Sequence, residues 1–152
     1  MARAPFQVLV YPYRRVGDNE FEYALLKRSD AGWWQAIAGG GEDSETPLEA
    51  ARRETREEAG ISSPAQFLQL DTVEPMPVTG FRDSHLWGEN VYVIPQYCFG
   101  VLVQEGHITL SREHTDFQWL KYDEAYHRLK YDGNRTALWE LNQRLQGKGP
   151  RE

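Results

Sequence analysis

Three carboxylates, Glu54, Glu57 and Glu58, recur at i, i+3 and i+4, the spacing that brings side chains onto one face of an α-helix. Like charges placed so closely oppose folding by a few tenths of a kcal/mol per exposed pair, and by more when partly desolvated. Something must offset that repulsion. Hard oxygen ligands suit Mg²⁺ or Mn²⁺, and Mg²⁺ usually takes one or two carboxylates together with waters and substrate phosphate oxygens. Arg53 stands one turn before Glu57, where it can pair with that carboxylate and orient it toward a cation. The alternative is a solvated acidic helix face with no chemistry.

The helix that must carry these acids has clear end signals. Thr46 fits the N-cap, Pro47 the first turn, and Glu49 closes a capping box. The helix is expected to run to about Ala59, with Gly60 as a left-handed stop. At 100° per residue, Leu48, Ala51, Thr55 and Ala59 form a stripe of small or apolar side chains roughly 100° from the carboxylates. That pattern predicts a helix that docks without burying its acids.

Around it, residues 6–13 and 20–28 read as strands of a hairpin across the turn residues RRVGDN. Residues 33–41 read as a short strand running into a glycine loop. Segments 67–78 and 91–103 are further strands around a long polar connection, 79–90, of a length that is often functional. Residues 117–121 are a last strand, and Asp123 or Asp132 and Asn134 are candidate caps of two terminal helices, the second carrying Leu138, Leu141 and Leu145. This mixture points to a mixed sheet covered by helices, an α/β (α+β) fold.

The 152 residues suit one domain, 1–152. No apolar run approaches the roughly 18 residues of a membrane helix, and the N-terminus lacks a secretory signal, so cytoplasmic residence is the expectation. Cys98 is the only cysteine, in an apolar setting that suggests burial. A net charge of −6 argues against a nucleic-acid partner, which needs a basic face. It leaves a small phosphate-bearing substrate open, because carboxylates can hold the divalent cations that neutralise one.

From Gly39 to Ile61 the chain reads GGGEDSETPLEAARRETREEAGI. It fits G-x5-E-x7-R-E-u-x-E-E-x-G-u, with u apolar, through Gly39, Glu45, Arg53, Glu54, Glu57, Glu58, Gly60 and Ile61. Seven fixed places at roughly 7% residue usage match by chance at about one start in a hundred million, which disfavours the solvated-face alternative. The pattern resembles the Nudix box, a loop-helix-loop catalytic motif. The resemblance implies an α/β/α sandwich, hydrolysis of a nucleoside diphosphate linked to another group, and an Mg²⁺ cofactor, with Mn²⁺ possible. It implies that Glu54, Glu57 and Glu58 bind the metal, that Arg53 orients Glu57, and that Glu45 ties the loop to the helix. Two positions depart from the pattern. Thr55 replaces an aliphatic residue, and Ala38 replaces a glycine whose carbonyl is a metal ligand, a role the Ala38 carbonyl keeps if the loop geometry holds.

Flanking segments resemble the dihydroneopterin triphosphate pyrophosphatase branch of that family. Lys27 and Arg28 end the second strand, Trp34 and Gln35 precede the box, Glu113 and His114 precede the strand Phe117-Gln118-Trp119-Leu120, and Asn134-Arg135 open the last helix. The resemblance implies that Lys27, Arg28, Trp34, Gln35, Asn134 and Arg135 bind substrate, and that Glu113 is a metal ligand or general base. As plain residues, Glu113 is equally an exposed loop acid, His114 a structural histidine, and Lys27 and Arg28 a solvated strand end. Trp34, Phe81, Trp87 and Tyr92 could stack a pterin or purine ring or simply pack. Substrate choice is expected to reside in 79–90. Rival readings are a housecleaning nucleoside triphosphate pyrophosphatase, a dinucleoside polyphosphate hydrolase, and a catalytically silent Nudix-like sensor. Oligomeric state, monomer or homodimer, is open.

Overall fold

In the computed structural model, which describes residues 3–62, 65–104 and 108–152, the apolar N-terminal run becomes β1 (Arg3–Gly17). It is longer than the expected 6–13 because it has partners along its whole length. On one edge β6 (Val93–Leu102) runs parallel to it from Gln7 to Tyr13. On the other, β4 (Ile37–Glu42) pairs antiparallel as far as Val10, and β2 (Glu20–Arg28) takes over at Tyr13. That edge changes partner across Tyr11 and Pro12, so the sheet forks there. A proline, which removes a ladder donor, sits at the fork. β3 (Trp34–Gln35) and β7 (His114–Leu120) pair with β2, and β5 (Phe67–Pro77) pairs with β6 at the far side, giving a mixed seven-stranded sheet.

Alternation along the strands sends side chains to two cores, as a sheet buried on both faces requires. Val8, Val10, Leu26 and Ile37 face α1 (Pro47–Ala59), whereas Leu9, Tyr11, Tyr13, Tyr23 and Leu25 face α2 (Tyr122–Arg128) and α3 (Asp132–Leu145). The result is the expected α/β/α sandwich. Cys98 is fully buried in the second of these cores. None of the described helices is long and apolar enough to cross a membrane.

The ends of α1 follow their local chemistry. Thr46 Oγ1 accepts from the Glu49 amide at 3.2 Å, the Glu49 carboxylate accepts from the Thr46 amide at 2.8 Å, and Gly60 takes φ 69°. Its docking face keeps Ala51, Thr55 and Ala59 of the expected stripe and departs from it at Leu48. Leu48 is exposed, and the buried positions are Ala50, Ala51, Thr55, Glu58 and Ala59. The alanines lack bulk and let the backbone approach the sheet, which turns Glu58 inward rather than leaving all three acids at the side.

The terminal helices are also capped differently from expectation. Their N-caps are Lys121 and Tyr131, neither making a side-chain cap bond. Asp123 and Asp132 lie in the first turns, where negative charge meets the positive end of the helix dipole, and Asn134 is buried inside α3. The 79–90 connection takes in the end of one short 3-10 turn, Val78–Gly80, and the whole of another, Ser84–Trp87. It is fastened to β1 by Trp87, whose indole N–H donates to the Arg3 carbonyl at 2.8 Å.

Candidate active site

Arg53 organises the junction between the glycine segment and α1. Its guanidinium donates to both Glu45 carboxylate oxygens at 2.8 and 3.0 Å, to the Gly40 carbonyl at 2.7 Å, to Glu54 at 2.8 Å and to Glu57 at 3.3 Å. Glu45 also accepts from the Glu42 amide at 2.8 Å, so it ties loop to helix, and Arg53 holds its carboxyl below the ordinary range. Gly39 is required by close approach. A Cβ there would lie 2.1 Å from the Glu54 Cδ.

The three acids differ in environment. Glu57 is the most exposed, at 54%, while the Glu54 side chain is 13% exposed and Glu58 only 5%. Burial raises the Glu54 pKa, partly countered by Arg53. For Glu58, burial first, then a hydrogen bond with Glu113 and the nearby Glu54 charge, push the pKa up to about 9. A backbone hydrogen bond from Ala38 reaches the same carboxyl, yet Glu58 Oε2 is buried without a partner. A buried carboxylate oxygen left in that state calls for a proton or a cation.

Glu58, with Glu54 and Glu113 beside it, fits a hard divalent cation. Among the described residues, no three or more His, Cys, Asp or Glu side chains are already gathered closely enough to hold a metal ion by themselves. The orphaned oxygen and its neighbouring acids still suit such a cation, because Mg²⁺ takes few protein ligands and keeps waters and phosphate oxygens in its other positions. Arg53 at present engages the oxygens of Glu54 and Glu57 that face it.

A cleft of about 520 Å³ opens beside these acids. Gly39 and Gly40 line it, with Arg28, Ser29, Arg112 and Glu113 from one side and Arg3, Gln7 and Phe81 from the other. The Glu113 loop is fixed by Ser29, whose amide and hydroxyl donate to the Glu113 carbonyl at 2.9 and 3.0 Å. Gln35 meets buried His114 at 3.3 Å, and burial lowers the His114 pKa. This neutral imidazole braces the start of β7 next to Glu113. Arg28 is held by Asp30 through two bonds of 2.7 and 2.6 Å.

Other sequence candidates lie elsewhere. Strand alternation carries Lys27 and its cross-strand neighbour Trp34 to the opposite face, where Trp34 packs against the α2/α3 core under Arg128. Asn134 is buried in that layer. In the orientation that satisfies both groups its amide nitrogen donates to Glu74 at 2.8 Å. Arg135 donates to the carbonyls of Leu129 and Tyr126, closing the α2–α3 junction. The structure thus brings Arg28 and Gln35 to the carboxylate side of the sheet and Lys27, Trp34, Asn134 and Arg135 to the other. Phe81 reaches the cleft; Tyr92 is 76% exposed. Sequence reasoning passed over Arg3, Gln7, Ser29 and Arg112, since single polar residues outside a motif carry no periodic signal.

Comparison with known proteins agrees with this geometry. The NUDIX domain family model matches residues 7–140. The chain is 31% identical over 134 residues to the asymmetrical bis(5'-nucleosyl)-tetraphosphatase of Sus scrofa, covering 86% of this chain and 85% of that one. It is 30% identical over 140 residues to the dihydroneopterin triphosphate diphosphatase of Escherichia coli (strain K12), covering 90% and 91%. Among solved structures, a Listeria monocytogenes protein assigned to the NUDIX hydrolases superposes with TM-score 0.84 at 37% identity, over 96% of this chain and 99% of that one. With the box glutamates, their arginine and the α/β/α frame all in hand, the chain belongs to the Nudix hydrolases and is an enzyme of that family.

Proposed function

We propose that residues 1–152 act as one Nudix domain in the cytoplasm, an Mg²⁺-dependent pyrophosphohydrolase whose substrate is dihydroneopterin triphosphate, cleaved to the monophosphate and pyrophosphate. The observation that carries this reading is the meeting of Glu54, Glu58 and Glu113 beside a cleft lined by Arg28. When bound, a divalent cation supplies an acidified water and neutralises charge on the phosphoryl oxygens. Glu54, Glu57 and Glu58, with the Ala38 carbonyl, would hold it. Arg53 keeps Glu54 and Glu57 oriented, and Arg28 binds phosphate oxygens through the free edge of its guanidinium. Glu113, exposed and adjacent to Glu58, accepts the proton of the attacking water or joins the ligand set. Gln35 and His114 hold the loop that carries it.

A second reading, hydrolysis of a dinucleoside polyphosphate, is supported by the 31% identity to the pig tetraphosphatase. The two are separated by incubating the enzyme and Mg²⁺ with dihydroneopterin triphosphate, canonical and oxidised nucleoside triphosphates and dinucleoside polyphosphates, and comparing kcat/KM and products. The pterin substrate is expected to lead. A tenfold preference for any other rejects it.

A further inference from the structure

Arg3 stands apart from the other cations of the cleft. Arg28 has Asp30 as a bidentate partner and Arg112 is exposed, whereas Arg3 is partly buried and, among the described residues, pairs with no carboxylate. Its guanidinium donates to the neutral Gln7 amide oxygen, lies 5.5 Å from the centroid of the Phe81 ring, and rests on Gly40, where a Cβ would come 1.7 Å from Nε. That Nε–H is buried and has no acceptor. A partly buried guanidinium with an unmet donor is held at a disadvantage unless an anion arrives. Arg3, Gln7 and Phe81 line the same cleft, so an anion entering it meets this guanidinium.

The bond to be cleaved must lie by Glu54, Glu58 and Glu113, next to Gly39. Arg3 sits over the adjacent Gly40, on the wall across from Arg28. Phosphates beyond the cleaved pair each add negative charge and extend the ligand along the cleft. We infer that Arg3 is a specificity-determining residue, receiving the additional phosphate of a triphosphate or longer chain, with Gln7 and Phe81 holding it in place. The inference rests on the hydrolase reading above for its substrate class.

The test compares wild type with Arg3→Gln and Arg3→Lys. Both variants keep the backbone carbonyl that anchors Trp87, so the loop stays docked, which a melting curve checks. Calorimetry with Mg²⁺ and inorganic pyrophosphate or triphosphate reads binding without turnover. Arg3→Gln is expected to weaken triphosphate about 10- to 100-fold, the loss of one charge-assisted contact, and to leave pyrophosphate within about twofold. Arg3→Lys recovers part of the loss, keeping charge without the planar fork. With the best substrate of the panel, KM rises and kcat stays within about threefold. Equal weakening of both anions, or of neither, overturns the assignment. Absence of turnover in wild type, with the triphosphate difference intact, would instead sink the hydrolase reading and spare this one.

Discussion

Replacing Glu58 by Gln should make the metal-free protein more stable at alkaline pH while abolishing its activity. The carboxyl is 5% exposed and its pKa is pushed up to about 9 from 4.5. Between those values the native state keeps a proton that the unfolded chain has lost. The stabilisation is therefore complete below about pH 4.5 and disappears as pH rises toward 9, at about 1.4 kcal/mol per unit. From pH 5 to pH 8 the loss is at most about 4 kcal/mol, or about 8–16 °C in Tm for a chain of this size. Glutamine does not titrate, and its amide can donate where the protonated carboxyl does. In EDTA, the wild-type Tm should fall between pH 5 and 8 by several degrees more than that of Glu58→Gln. Adding Mg²⁺ at pH 8 should restore the wild type and leave the variant unmoved. Parallel curves for the two proteins in EDTA would refute the reasoning, since the difference isolates this one group.

Glu57→Gln should lower kcat at least about 100-fold in Mg²⁺ with Tm within about 2 °C, because that side chain is 54% exposed and little packing depends on it; a turnover assay beside a melting curve decides. Arg53→Ala should cost about 3–5 kcal/mol of stability by denaturant titration, as it leaves the Glu45 and Glu54 carboxylates and the Gly40 carbonyl without their donor. Arg53→Lys should recover little of this, because one ammonium cannot reach four partners in the plane of a guanidinium.

Local chemistry was readable from the sequence wherever one segment contains the whole cause. The Thr46–Glu49 box and Gly60 set the ends of α1, and the alternation of Val8 and Val10 against Leu9 and Tyr11 divides the two cores. The docking face of α1 is legible in Ala51, Thr55 and Ala59, which are buried, whereas Leu48, the bulkiest apolar residue of that stripe, is exposed, and Ala50 and Glu58 are buried beside it. Glu58 meets Glu113, 55 positions away along the chain, an interaction that no helical periodicity encodes. Asn134 and Arg135 matched a family-like pattern, yet their nearest demands are Glu74 and the open carbonyls at the end of α2. Arg3 has no motif at all.

The fork in β1 sets how the cleft can deform. The box hangs from β4, which is paired only to the first half of β1, and the Arg28–Ser29 wall hangs from β2, paired to the second half. One link between the walls is β3, which pairs with β2 and runs through Ala36 into β4; the other is the stretch of β1 between Val10 and Tyr13. That short stretch is stiff: the Pro12 ring fixes its φ, β6 backs it across the gap, and the Tyr11 hydroxyl, fully buried, donates to the Asn134 carbonyl at 2.8 Å. The stretch of β1 between the two walls is thereby anchored from beneath, by a backbone carbonyl of α3 on the opposite face of the sheet.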